Sequence, residues 1–125
     1  MTITKSIVID FHRRIIESTG GEHGIKDEQS LDAAIQGVYQ SFDGKDMYPT
    51  VVGKATRLCY VLNTSHAFID GNKRVAMHVL AVVLRFHNVH YQPSNVDVVE
   101  VGMAVAENRM DYEALLVWVK TQTNM

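Results

Sequence analysis

Residues 66 to 74 read His-Ala-Phe-Ile-Asp-Gly-Asn-Lys-Arg, which sets a titratable base, a carboxylate, a glycine turn and two cations within nine positions. Those are the parts of a phosphoryl- or nucleotidyl-transfer site, where catalysis is mostly positioning and charge stabilisation. His66, with an ordinary pKa near 6.5, suits a general base at neutral pH. Asp70 suits a magnesium ion, which is commonly held by a single carboxylate together with phosphate oxygens and waters. A helix that starts at Asn72 or Lys73 would aim its free backbone N–H groups back into the turn at Asp70, Gly71 and Asn72, a ready anion site.

Lys73 and Arg74 stand at the wrong end of that helix. Each cation in the first turn opposes the helix dipole at a cost of about 0.3 to 1 kcal/mol, which a bound polyphosphate would offset. Phe68, between His66 and Asp70, is the apolar residue expected to plug into the core and anchor the loop. Plainer readings exist for each residue taken alone. His66 could be a C-terminal dipole partner, and Asp70 or Asn72 a helix cap, in which case the chain is a catalytically silent binding protein.

The loop needs two helices to hold it, and the flanking sequence supplies them. Val51 to about Ser65 carries Val52, Ala55, Leu58, Cys59 and Leu62 on one face, and Lys73 to about His87 is apolar nearly all round, as for the central helix of a bundle. Arg74, His78 and Arg85 fall near one stripe of that second helix. Upstream, Ile7, Val8, Phe11, Ile15 and Ile16 mark a helix that stops at Gly20, Gly21 and Gly24. Leu31, Ala34, Ile35 and Val38 mark another, capped by Asp27 and ending near Ser41. SFDGKDMYPT reads as an exposed loop or short flap.

Downstream, Ser94 and Asp97 resemble a capping box opening a helix through Val98, Val101 and Val105, although VDVVEVGMAV has enough β-branched residues for a strand. Asp111 can cap a last helix carrying Ala114, Leu115, Trp118 and Val119. The expectation is a single all-α domain over residues 1 to 125: about six helices in a compact bundle, with the motif loop between the two central ones.

Composition narrows the function classes. At 125 residues and a formal charge of −2, the chain lacks the surplus of cations that phosphate-coating proteins need, so no direct nucleic-acid role is expected. Cys59 is the sole cysteine and sits in LCYVL as a small buried hydrophobe, which fits a reducing compartment. No apolar run approaches a membrane span and Lys5 and Asp10 interrupt the N-terminal stretch, so a cytoplasmic protein with no membrane association is expected. His87 and His90 read as a surface pair rather than a metal site.

His66-Ala-Phe68-Ile-Asp70-Gly71-Asn72-Lys73-Arg74 resembles the motif of the Fic/Doc family, H-x-F-x-[DE]-G-N-x-R. Lys73, where most Fic sequences have Gly, is similar to the Doc (death-on-curing) branch. GGEHGIKDEQSLDAAIQ, KATRLCYVLNTSH and AVAENRMDYEALLVWVK resemble the Doc pattern in order and spacing. The resemblance implies a Fic-type helical fold and the toxin of a toxin–antitoxin pair with a Phd-like antitoxin as partner.

It further implies kinase-like transfer of the ATP γ-phosphate to a threonine of elongation factor Tu, with Mg²⁺ as cofactor. Carried over residue by residue, His66 is the base, Asp70 holds Mg²⁺, and Gly71, Asn72, Lys73 and Arg74 bind phosphates, Lys73 also steering the reaction toward phosphoryl transfer. Transfer of AMP, the commoner Fic chemistry, is the alternative. Ser18-x-x-x-Glu22 faintly resembles the family's inhibitory motif but is broken at His23, and reads as coincidence.

Overall fold

The computed structural model describes residues 1–124, and six helices and one small hairpin account for about two thirds of them. In order these are α1 (Lys5–Thr19), α2 (Glu28–Val38), the strands β1 (Ser41–Phe42) and β2 (Lys45–Asp46), then α3 (Val51–Thr64), α4 (Asn72–Phe86), α5 (Asn95–Ala106) and α6 (Tyr112–Thr123). The architecture is all-α. α3 and α4 form the central pair: α2 and α6 pack on α3, α1 on α4, and α5 against both.

Local sequence explains the helix starts. Thr4, Asp27, Thr50, Ser94 and Asp111 each accept a hydrogen bond from a backbone N–H in the first turn, at Ile7, Ser30, Gly53, Asp97 and Ala114 respectively. Asp27 and Asp111 cap as their positions predict, and Ser94 commits VDVVEVGMAV to a helix, settling the strand ambiguity. α2 ends at Val38 rather than near Ser41, because Tyr39 turns the chain and Ser41 already pairs with Asp46.

The core is aliphatic. Leu58, Cys59, Leu62, Val75, Ala76, Val79, Leu80 and Leu84 from the central pair are all buried, joined by Leu31, Leu115 and Val119. Burial pushes the Cys59 thiol up to about 12, so it behaves as the small hydrophobe its neighbours suggest. α4 is less evenly buried than its composition predicts, since His78, Arg85 and Phe86 reach the surface. Arg85 donates to the Tyr91 carbonyl through two of its nitrogens, closing the turn after α4.

The SFDGKDMYPT stretch forms the β1–β2 hairpin, with Phe42 and Met47 turned to solvent. Its base is tied to α3: Lys54 pairs with Asp46 at 3.1 Å and also donates to the Tyr48 carbonyl. Arg57, one turn further on, lies within cation–π range of Tyr48, Tyr60 and Tyr112.

Candidate active site

The motif loop is held on three sides. Phe68 is buried and stacks face to face on His12 of α1, with centroids 3.8 Å apart. The Asn72 amide closes the loop on itself: Oδ1 accepts from the Phe68 N–H at 3.0 Å and Nδ2 donates to the Phe68 carbonyl at 2.9 Å. The α1–α2 connection then pairs alongside, with Ile69 N–H donating to Gly24 and Lys26 and Asp27 both donating to Ala67. Phe68 is the anchor its type predicts, and the Asn72 side chain serves the loop's shape.

His66 leaves α3 with φ of +51°, in the left-handed region. That position after a helix end usually belongs to glycine, so a histidine there carries a backbone cost of about 1–2 kcal/mol. The turn throws its exposed side chain to the mouth of a pocket of about 210 Å³ lined by His66, Asp70, Gly71, Asn72 and Lys73. Asn63, Ile69 and Ala106 complete the wall.

The start of α4 supplies the pocket's electrostatics. Gly71 is the N-cap, at φ of +82°, and unlike the other five helices α4 has no side-chain cap among the described residues. A Cβ on Gly71 would come within 3.1 Å of Ile16 and 3.5 Å of the His12 ring, so both φ and space demand glycine. The opening N–H groups of α4 therefore present a positive dipole end to the pocket.

Asp70 Oδ1 accepts from the Gly71 N–H at 2.8 Å and Oδ2 from the Glu22 N–H at 3.2 Å. Those two backbone donors, with Arg74 adding a smaller charge effect, hold its carboxyl below the usual carboxylate range. A carboxylate has about four lone-pair positions, so two remain open on an ionised, half-exposed group. That donor set suits Mg²⁺, a hard cation satisfied by one carboxylate, substrate phosphates and water. No group of three or more metal-ligating side chains lies together among the described residues, so phosphate oxygens would have to complete the coordination.

Lys73 and Arg74, adjacent in sequence, part company in space. Lys73 lines the pocket with His66 and Asp70. Arg74 is absent from that pocket. Its Nη1 donates to Thr19 Oγ1 at 2.6 Å and to the Gly20 carbonyl at 2.7 Å, and Nη2 lies 3.6 Å from Asp70 Oδ1. The cation that opposes the dipole of α4 is thus placed on the negative, C-terminal end of α1. In this ligand-free arrangement Arg74 faces a neighbouring groove of about 570 Å³ between α1, α4 and α5, which Lys73 also borders.

Sequence reading missed three contributors. His12 lies 58 residues from Asp70, yet its Nε2 hydrogen-bonds the Asp70 carbonyl at 2.7 Å. Gly21 passes so close that a Cβ would fall 2.6 Å from Asp70 Oδ2 and 2.9 Å from Arg74 Nη2. Asn63 is buried in the pocket wall. A polar residue on the apolar face of a helix, as His12 and Asn63 each are, was the available signal. The Ser18 and Glu22 side chains take no part, although the Glu22 backbone bonds Asp70.

Comparison with known proteins adds an independent observation: residues 2–84 match the sequence profile of the Fic/DOC family. The chain belongs to that family. A curated relative, "Toxin Doc" of Mycolicibacterium smegmatis, is 37% identical over 70 residues, 56% of this chain. That match spans about half of the relative, 54% of its length. The Fic/DOC profile ends inside α4, so the pocket wall from α5 lies outside the matched region.

Proposed function

We propose that this Fic/DOC protein is the toxin of a toxin–antitoxin pair and a Mg-ATP-dependent protein kinase that moves the γ-phosphate of ATP to a threonine of elongation factor Tu. The supporting observation is the convergence of His66, Asp70 and Lys73 on one pocket at the uncapped start of α4. A phosphate group fits about 210 Å³, whereas a whole nucleotide must extend beyond it.

In this reading the free N–H groups of α4 and the Lys73 ammonium bind the transferred group and draw off its developing charge. His66 takes the proton of the target hydroxyl as that oxygen bonds to γ-phosphorus and the bond to the ADP oxygen breaks, so ADP leaves. Mg²⁺ on Asp70 would supply neutralising charge to the phosphate oxygens. Arg74 adds its field from the adjoining groove.

The same groove is the seat we assign to a Phd-like antitoxin. Ile15, Met77, Val98, Val99 and Met103 give it an apolar floor, with Lys73 and Arg74 at its edge. An amphipathic antitoxin segment with an acidic residue would complement both.

Incubation with Mg²⁺, a translation extract and ATP labelled at either the α or the γ phosphorus tests the activity. Label from γ alone, on elongation factor Tu, is the expected result. Label from α would establish AMP transfer instead, and none from either would leave a binding protein.

A further inference from the structure

Gly20 and Gly21 follow α1, and at both the backbone takes a positive φ, +89° and +114°. Their surroundings differ. A Cβ on Gly20 would meet nothing within 4 Å, so that glycine answers only to the backbone conformation at the helix end. A Cβ on Gly21 would lie 2.6 Å from Asp70 Oδ2, 2.9 Å from Arg74 Nη2 and 3.1 Å from Ile16 Cδ1. The first two are the free ends of motif side chains, so a methyl group there would push the carboxylate and the guanidinium aside before it moved the backbone.

The space has a use. The next residue, Glu22, donates its backbone N–H to Asp70 Oδ2 at 3.2 Å, across 48 positions of sequence. Asp70 Oδ1 is held at 2.8 Å by the Gly71 N–H, its own neighbour in the chain. One anchored oxygen leaves the carboxylate free to swing about a broad terminal torsion, whereas two anchored oxygens fix its plane. His12 does not supply the second restraint, because it bonds the Asp70 backbone carbonyl and not the side chain. The same segment also holds Arg74, which donates to Thr19 Oγ1 and to the Gly20 carbonyl. Residues 19–22 thus offer acceptors to the cation and a donor to the carboxylate. Arg74 Nη2 stays 3.6 Å from Asp70 Oδ1, beyond a direct hydrogen bond, and does not consume the lone pairs a metal needs.

We infer that Gly21 is the positioning residue for Asp70: its missing side chain lets the Glu22 N–H anchor the carboxylate with the remaining lone pairs left for Mg²⁺. Outer contacts of this kind orient a metal ligand and set much of its affinity. The inference rests on the Mg-ATP reading above and adds to it a requirement from the end of α1 that the motif loop does not itself contain.

Calorimetry with tripolyphosphate, with and without Mg²⁺, reads the ratio of the two affinities. In Gly21→Ala the ratio should fall about tenfold, while metal-free binding, left to Lys73 and the N–H groups of α4, stays near the wild-type value. The strained alanine will also lower the melting temperature, but lost stability alone does not move the ratio. A ratio equal to that of the wild type, whether both affinities hold or fall together, would overturn the proposal. A second measurement leaves the glycine in place. The Glu22 amide should exchange with solvent detectably more slowly in the ligand-free wild type than in Asp70→Ala, and equal rates would show that Glu22 does not hold the carboxylate. If Mg²⁺ adds nothing to tripolyphosphate binding by the wild type, the metal reading of Asp70 fails, a result that the exchange comparison tells apart from a failure of the Glu22 contact.

Discussion

His12 and Asp70 are joined across 58 residues by a 2.7 Å hydrogen bond from the His12 ring to the Asp70 backbone carbonyl. Since the carbonyl can only accept, Nε2 must carry the proton. The same ring stacks on Phe68 at 3.8 Å. One side chain of α1 therefore holds both the apolar anchor and the polar apex of the motif loop, and the carboxylate of Asp70 is aimed by it.

His12→Phe preserves the stack and removes the donor, leaving a part-buried carbonyl unpaired. Stability should fall by about 1–3 kcal/mol, read from urea unfolding. Transfer should fall further than ATP affinity, because the carboxylate loses its aim while the N–H groups of α4 remain. An unchanged kcat in a destabilised protein would limit His12 to a structural role.

At His66 stability and function pull apart. The left-handed φ of +51° is one that glycine adopts freely, so His66→Gly should raise stability by about 1 kcal/mol. The same change removes the proposed base and should lower transfer by about 10²- to 10⁴-fold while ATP still binds. Thermal unfolding and a single-turnover assay on one preparation check both. A variant that turns over at the wild-type rate would remove His66 from the mechanism.

The fold was largely legible because its signals are local. Asp27, Ser94 and Asp111 announce their helices, and the apolar periodicities of α3 and α4 identify the central pair. The motif loop was legible too, since its chemistry is contiguous from His66 to Arg74. What sequence order conceals is convergence. Nothing near Lys73 and Arg74 tells that one faces the pocket and the other the end of α1, because that depends on where Thr19 and Gly20 arrive. Asn63 and His12 read as polar interruptions of apolar faces until Gly102 and Asp70 are seen beside them.

Asp70 sets an acid limit on the loop. Backbone N–H groups of Glu22 and Gly71, and then Arg74, favour its ionised form and lower its folded-state pKa. A lowered pKa contributes stability that is complete above the unfolded value, near 3.9, and lost as pH falls through the folded one. As pH falls below about 4 the protein should therefore lose thermal stability more steeply than Asp70→Asn does. Parallel melting-temperature curves for the two proteins would refute the linkage.

Lys73 and Arg74 should separate in the same pair of assays. Arg74 ties the start of α4 to the end of α1 through two charge-assisted hydrogen bonds, at 2.6 and 2.7 Å. Arg74→Met should lower stability by about 1 kcal/mol, the solvent-exposed guanidinium reducing the full value of such bonds, and should weaken ATP binding only modestly. In Lys73→Met, relief of the unfavourable helix dipole is small and the ammonium has no hydrogen bond or ion pair to lose among the described residues, so stability should stay within about 0.5 kcal/mol of the wild type. Transfer should nevertheless fall at least about 100-fold, because the proposed mechanism relies on that charge to meet the phosphate in the transition state. Should the two variants exchange these phenotypes, with Arg74→Met silent in unfolding and Lys73→Met fully active, the division of labour between the adjacent cations would be reversed.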